Sequence, residues 1–182
     1  MTVKEFDEFV ERQHGAAAVD WDRERDEWLA YLDELYGKIE TMLGKYVSSG
    51  QISIRFKPIE MNEENLGSYQ ARQMILRIGR QEVDITPRGT RFIGFKGYVE
   101  VIGSAGKASL ALASRDRRFT VQGGKATELI KTSNRFRSGS ELRSSSAKIE
   151  WEWKILPRPP GRSLDELTRE NLFQMLMEVT NG

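Results

Sequence analysis

The chain has 182 residues, of which 38% are hydrophobic and 30% charged, and its formal net charge is +1. This composition is typical of a globular protein with a substantial core and excludes a disordered chain. Cysteine is absent, which excludes disulfides, thiolate metal sites and cysteine nucleophiles.

The remaining composition signals concern location and domain number. No apolar run approaches the ~20 residues that span a bilayer, and the acidic, periodic amino terminus is unlike a signal peptide. We therefore expect a cytoplasmic protein without membrane attachment. The length is that of one domain, so a single domain over residues 1–182 is predicted.

Charge is distributed unevenly along the sequence. Residues 1–44 contain 5 basic and 12 acidic side chains, whereas residues 115–148 contain 9 basic and 3 acidic ones. Residues 45–114 are moderately basic, with 10 basic and 6 acidic side chains. Such a separation can steer association with a partner of opposite charge, or between two copies of the chain, but it does not define a fold.

Helical periodicity dominates the first 48 residues. The segment after Thr2 has the capping-box spacing of a short helix. Asp20 is a candidate cap for a longer amphipathic helix that reaches about Tyr46. Gly37 inside this pattern costs about 1 kcal/mol relative to alanine. An antiparallel pair of acidic helices is therefore predicted over residues 1–48.

From residue 51 the apolar positions recur at every second residue, which is the periodicity of half-buried β-strands. Turn-type segments separate the strands, and no helical pattern lies between them. We predict a meander-like antiparallel sheet of about seven to nine strands, strongly curved or barrel-like, over residues 51–156. Residues 60–71, "EMNEENLGSYQA", are the exception and are predicted to form a loop or short helix.

The clearest strand is "KIEWEWKIL", which places Trp151 and Trp153 on one face with two isoleucines. These tryptophans, like Trp21 and Trp28 of the long helix, are interpreted as core residues rather than as a ligand platform. Ser163 and Glu166 have the spacing of a second capping box. A carboxy-terminal helix over residues 163–180, packed on the sheet, completes an α+β fold.

Catalytic and metal-binding patterns are weak in this sequence. The segment "GSAGK" lacks two elements of a phosphate-binding P-loop, because Val101 and Ala108 replace the first glycine and the hydroxyl residue. The single histidine, His14, falls at an acidic helix end. No cofactor or metal is predicted. Two clusters of carboxylates could supply oxygen ligands to a metal. The cluster of Asp20, Asp22 and Glu24 is interpreted instead as a helix start, and the pair Glu63 and Glu64 as part of an acidic loop.

Two carboxylates on the tryptophan strand suggest one enzymatic alternative. Glu150 and Glu152 project from the same face about 6.6 Å apart, close to the separation used by inverting glycosidases. Lys154 continues the row, which favours a solvent-facing row of side chains over a catalytic couple. An enzyme that uses these carboxylates, or Glu100, in a pocket of the curved sheet is kept as an alternative.

The basic region 115–148 carries arginines beside aromatic residues, in "SRDRRF" and "NRFR". Guanidinium groups beside a ring suit an anionic partner, although serine and glycine are equally common in solvated connections. The candidate anion-binding residues are Arg115, Arg117, Arg118, Arg135, Phe136, Arg137 and Arg143.

The leading hypothesis is a non-catalytic binding or adaptor protein that acts through this charged surface on a protein partner with an acidic surface. Single-stranded nucleic-acid binding through the same residues is the alternative. The near-neutral charge of the whole chain favours the protein partner, since readers of nucleic acid are usually strongly basic.

Overall fold

The computed structural model describes residues 4, 6–8, 10, 19–90, 94–115, 119–122, 125–128, 149–157 and 163–181, the ranges 119–122 and 125–128 by their backbone. The described fold contains a long helix (α1, Trp21–Ser48), a seven-stranded antiparallel sheet and a second helix (α2, Arg169–Asn181). This arrangement confirms the predicted α+β class.

The sheet is open and has the strand order β1-β2-β3-β4-β5-β8-β9, with β1 and β9 at its edges. Strands β6 and β7 pair with each other in a separate two-stranded sheet. The strands are β1 (Ile52–Glu63), β2 (Gly67–Ile78), β3 (Gln81–Gly89), β4 (Gly97–Ile102), β5 (Lys107–Ser114), β6 (Phe119–Gln122), β7 (Lys125–Glu128), β8 (Trp151–Ile155) and β9 (Asp165–Glu166).

Helix α1 begins and ends where the sequence indicates. Asp20 accepts the backbone N–H of Arg23 at 3.1 Å, and Gly50, with φ +75°, follows the helix. The helix continues through Gly37, which is exposed and has nothing within 4 Å of an ideal Cβ position. Among the described residues, no helix is both long and apolar enough to cross a lipid bilayer.

Part of the predicted helical pair precedes α1. Lys4, Phe6, Asp7, Glu8 and Val10 are helical. Phe6 and Val10 are 56% and 44% exposed, so the apolar side chains at these two positions are not part of the core. Thr2, Glu5, Phe9, His14 and Gly15 lie outside the described residues.

Strands β1 and β2 form a long hairpin through residues 60–71, where the prediction of a loop or short helix is wrong. The pairing runs without a break from Ile52 opposite Ile78 to Glu63 opposite Gly67. Buried positions change parity along the hairpin, from Ile52 at its base to Met61 near its tip. Since successive side chains alternate between faces, the ribbon twists and turns its other face to the core in the distal half.

The distal end of this hairpin is tied to the end of β3. Glu63 Oε2 accepts the backbone N–H of Thr90 at 2.9 Å and its hydroxyl at 2.8 Å, and Glu63 Oε1 accepts the hydroxyl of Tyr69 at 2.5 Å. Gly89 has φ +134°, and a Cβ there would lie 3.0 Å from Glu63 Oε2. Glycine therefore permits both the backbone conformation and the close approach.

The core lies between one face of the sheet and the two helices. Trp28 and Trp153 are 0% and 3% exposed, with ring centroids 6.0 Å apart, and Trp153 Nε1 donates to the carbonyl of Tyr31 at 3.1 Å. Core packing is thus confirmed for these two tryptophans, and Trp151 is partly buried. The prediction of core packing is wrong for Trp21, which is 38% exposed. Trp21 is the first residue of α1 and lies two turns before Trp28.

Helix α2 begins later than the capping-box spacing indicates. Asp165 and Glu166 pair with Ile155 and Lys154 of β8, so their backbone joins the sheet. Thr168 Oγ1 accepts the backbone N–H of Asn171 at 3.2 Å, and the helix starts at Arg169 rather than just after Ser163. Its buried side consists of Leu172, Met175, Leu176 and Val179.

Candidate binding surface at the junction of strands β5 and β8

Strands β5 and β8 are neighbours in the sheet although the basic region separates them in sequence. Ser114 pairs with Trp151, and the backbone N–H of Arg115 donates to the carbonyl of Glu150 at 2.8 Å. The chain therefore leaves the sheet after Arg115 and returns to it at a directly adjacent position. The seven-stranded sheet is continuous across this junction.

Arg115 lies at the junction itself. Its Nη1 is 2.7 Å from Glu150 Oε2 and its Nε is 3.5 Å from Glu152 Oε2, while its side chain is 63% exposed. To bind an external anion, the Arg115 guanidinium would have to give up its contacts with Glu150 and Glu152. The other candidate residues of the basic region lie outside the described residues: Arg117, Arg118, Arg135, Phe136, Arg137 and Arg143.

Ion pairs continue along β8, where the sequence predicts a solvent-facing row of side chains. Lys154 Nζ lies 2.6 Å from Glu152 Oε1 and 3.9 Å from Glu166 Oε1. The hydrogen bond from Lys154, together with the charge of Arg115, holds the pKa of Glu152 below its ordinary value against the effect of burial. A general acid in glycoside hydrolysis needs the opposite shift. Glu150 and Glu152 are therefore arranged as ion-pair partners.

Glu100 occupies a similar environment farther across the sheet. Its carboxylate accepts Arg88 Nε at 2.8 Å and also contacts Arg88 Nη2, and Lys107 Nζ lies 3.4 Å away. Burial alone would raise the pKa of Glu100, but Arg88 and Lys107 hold it below its ordinary value. This carboxylate also remains ionised and paired at neutral pH.

Lys96, which the sequence did not single out, fixes α1 to the same end of the sheet. Its backbone N–H donates to the carbonyl of Leu112 at 2.8 Å, and its Nζ is 2.7 Å from Glu27 Oε2. The ammonium also lies 5.8 Å from the ring centroid of Tyr31 and 5.7 Å from that of Trp151. The acidic and aromatic residues on one face of α1 indicate that a cation could bind there. Nothing in the sequence identifies Lys96 as that cation.

These contacts hold the return point of the basic region in place, because Trp151 is the first residue of β8. The Lys96 side chain is only 14% exposed, so its interactions with Trp151 and Glu27 are shielded from solvent. Cation–π contacts and ion pairs gain strength when partly desolvated. The junction is therefore a firm base for the segment that starts there.

Several of the acidic residues considered for metal binding have other partners in the structure. Asp20 caps α1, Asp22 lies 2.9 Å from Arg25, and Glu63 binds Thr90 and Tyr69. Within the part of the chain that the structure describes, no cluster of three or more potential metal ligands occurs.

Comparison with known proteins adds no family to this description. No protein-family model, curated protein or solved structure matches the chain. Because unrelated functions share a single architecture, the fold class does not indicate a function either. A functional proposal must therefore be based on the residues and distances at the junction.

Proposed function

We propose that the protein is a non-catalytic binding protein whose binding element is the basic region, residues 115–148, presented to a protein partner with an acidic surface. The supporting observation is the direct pairing of the flanking residues, with the Arg115 N–H donating to Glu150 at 2.8 Å. A segment inserted between adjacent, paired strands can change without altering the sheet. Binding residues commonly occur on connections held by such a scaffold.

The charge of the basic region supports an acidic partner. It contains 9 basic and 3 acidic residues, whereas several cations of the sheet are already paired with carboxylates, among them Arg55 with Glu82 at 3.0 Å and Arg88 with Glu100. Arginine is suited to this role because its planar guanidinium can donate two parallel hydrogen bonds to one carboxylate.

The size of the basic region favours an acidic protein patch over a long polyanion. Residues 1–44 are strongly acidic, with 12 acidic and 5 basic side chains, and they would repel a nucleic acid that extends beyond the basic region. Screening limits such repulsion to about 8–10 Å at physiological salt. A compact acidic patch is therefore repelled by fewer of these charges than a polyanion that extends beyond the basic region.

A fluorescein-labelled poly-glutamate peptide provides a direct test. We expect its affinity for the protein to fall at least about tenfold between about 50 and 500 mM salt, because exposed charges are screened. The triple variant Arg135→Ser, Arg137→Ser and Arg143→Ser should bind at least about tenfold more weakly at low salt. An affinity for poly-glutamate that is unchanged both by salt and by these substitutions would contradict the proposal.

The matched control removes three exposed arginines elsewhere, in the variant Arg77→Ser, Arg80→Ser and Arg169→Ser. Both variants lose the same formal charge, so a non-specific field effect would weaken both equally. A single-stranded oligothymidylate tests the other partner class. Tighter binding of this probe than of poly-glutamate, weakened by Phe136→Ala, would replace the proposed partner by nucleic acid.

A further inference from the structure

A groove lies on the sheet face that points away from the helices, over strands β1, β2 and β3. Its volume is about 530 Å³, within the range of about 300–1,000 Å³ that small-molecule sites occupy. Ile75 is only 7% exposed and forms an apolar floor. The groove therefore combines sufficient volume with a non-polar base.

The charged residues of the lining are separated by strand. β1 supplies the cations Arg55 and Lys57 together with Phe56, β2 supplies the neutral Gln73 and Ile75, and β3 supplies the carboxylates Glu82 and Asp84. The register places Arg55, Ile75 and Asp84 directly across from one another on the three strands. Positive and negative charge thus face each other across the neutral strand.

One pair of opposite charges is already joined across β2. Arg55 Nη2 lies 3.0 Å from both carboxylate oxygens of Glu82. The side chains of Lys57 and Asp84 have no ion-pair or hydrogen-bond partner among the residues that the structure describes. Gln73, between them, donates to Thr86 Oγ1 at 2.8 Å. The groove therefore holds one free cation and one free anion on opposite sides of its apolar floor.

We propose that this groove binds a zwitterion whose ammonium and carboxylate are separated by a short aliphatic chain. The ligand carboxylate pairs with Lys57, its ammonium pairs with Asp84, and its methylene groups lie on Ile75. Strands β1 and β3 are two strand spacings apart, about 10 Å. Lys57 and Asp84 are also offset by two residues along the strands, because Lys57 pairs with Gln73 and Asp84 with Ile75, and the two side chains span part of this separation. The adjacent charges of an α-amino group and α-carboxylate are too close together to reach both sides.

Two sources share this chemistry, a free ω-amino acid and the carboxy-terminal lysine of a polypeptide, whose side-chain ammonium is separated from the terminal carboxylate by a similar chain. Because Ile75 is only 7% exposed, the two charge pairs rather than burial of the aliphatic portion supply most of the affinity in both cases. The proposal is independent of the basic region 115–148, because none of the groove residues belongs to that region.

The first experiment titrates the full-length protein with 6-aminohexanoate, followed by amide chemical shifts. Hexanoate and hexylamine, which each retain one charge, and glycine, whose charges are adjacent, are the comparison ligands. We expect 6-aminohexanoate to bind at least about tenfold more tightly than each of them and to shift the amides of β1, β2 and β3. Absence of binding up to about 10 mM, or equal affinity for hexylamine, would overturn the proposal.

The second experiment uses variants at the two free charges. Lys57→Met and Asp84→Asn should each weaken 6-aminohexanoate binding about tenfold, whereas Lys45→Met and Asp165→Asn, at exposed positions outside the groove, should leave it unchanged. Thermal unfolding of each variant establishes that it is folded. Wild-type affinity in both groove variants would also overturn the proposal.

A third arm separates the two sources. One peptide ends in lysine with a free carboxylate, and a matched peptide has an amidated end. If the free-carboxylate peptide binds as tightly as 6-aminohexanoate and the amidated one about tenfold more weakly, the groove accepts polypeptide ends. If both peptides bind weakly while 6-aminohexanoate binds, the ligand is the free ω-amino acid.

Discussion

The Arg115 guanidinium lies 2.7 Å from the Glu150 carboxylate, directly beside the backbone hydrogen bond that joins the same two residues. Both side chains are well exposed, at 63% and 65%. Exposed ion pairs contribute little to stability, so the backbone pairing rather than the side-chain contact keeps β5 and β8 together. The side chains of Arg115 and Glu150 are therefore two exposed charged groups at the base of the basic region.

The first prediction concerns this ion pair. Arg115→Ser should lower the free energy of unfolding by less than about 1 kcal/mol, as is typical of exposed pairs. Urea denaturation measures the change, with the exposed Arg80→Ser as the reference substitution. A loss above about 2 kcal/mol would indicate that the side chain, and not the backbone pairing, holds the junction.

The second prediction concerns Gly97, which lies against Trp28. A Cβ at this position would be 2.0 Å from the Trp28 ring, so Gly97→Ala forces the buried indole or strand β4 to move. We expect a loss of stability of about 1–3 kcal/mol or more.

Gly37→Ala is the matched control for this substitution. Gly37 is exposed in the interior of α1, with nothing within 4 Å of the Cβ position, and alanine should stabilise the helix by about 1 kcal/mol. Thermal unfolding distinguishes the two variants by the sign of the change in melting temperature. The same sign in both would contradict the packing of Trp28 on β4.

The third prediction concerns the tie between the hairpin tip and β3. Glu63→Ala removes the acceptor for the Thr90 N–H and hydroxyl and for the Tyr69 hydroxyl. We expect a destabilisation of about 2–3 kcal/mol and faster amide exchange in residues 61–71, since this end of the hairpin loses its attachment. Glu60→Ala, at an exposed position on the same strand, should have a small effect. Equal exchange rates in the two variants would show that Glu63 does not hold the hairpin.

The fourth prediction concerns acid sensitivity. The pKa of Glu100 in the folded protein is below its ordinary value of 4.5, because Arg88 and Lys107 outweigh the effect of burial. Its contribution to stability is therefore complete at neutral pH and is lost as the pH falls below 4.5 and through the lower folded value. Glu100→Gln should destabilise the protein by about 1 kcal/mol near pH 7 and by much less below about pH 3.

A double-mutant cycle with Arg88→Gln identifies the partner responsible. If Arg88 supplies the stabilisation, the two substitutions together should cost little more than either alone at neutral pH. Additive losses would mean that Glu100 is stabilised by other groups. Urea denaturation at the two pH values provides both measurements.

The periodicity of apolar residues was sufficient to predict the main elements. The change of period at residue 51 located the end of α1 and the start of the sheet, and the Asp20 cap was correct. Residues 60–71 were missed because their buried positions change parity where the hairpin twists, which weakens a strict two-residue pattern. The start of α2 was misplaced because pairing of Asp165 with β8 overrides a local capping signal.

The candidate site was predicted less completely than the fold. The alternation of Glu150, Glu152 and Lys154 indicated a row of charged side chains on one strand, but the ion pairs that these residues form were not predicted. The contacts of Lys96 with α1, and the proximity of Arg115 to Glu150, join residues far apart in sequence. Such contacts depend on which strands are neighbours, and periodicity alone does not reveal strand order.

Deletion of the basic region tests the central claim most directly. In a variant with residues 116–148, which include strands β6 and β7, replaced by a short glycine–serine turn, β5 and β8 should form an ordinary hairpin, with the helical circular dichroism signal retained and cooperative unfolding. Labelled poly-glutamate, which the intact protein is expected to bind at low salt, should then show no binding to the folded variant. Retention of wild-type affinity, or failure of the variant to fold, would contradict a binding element separable from its platform.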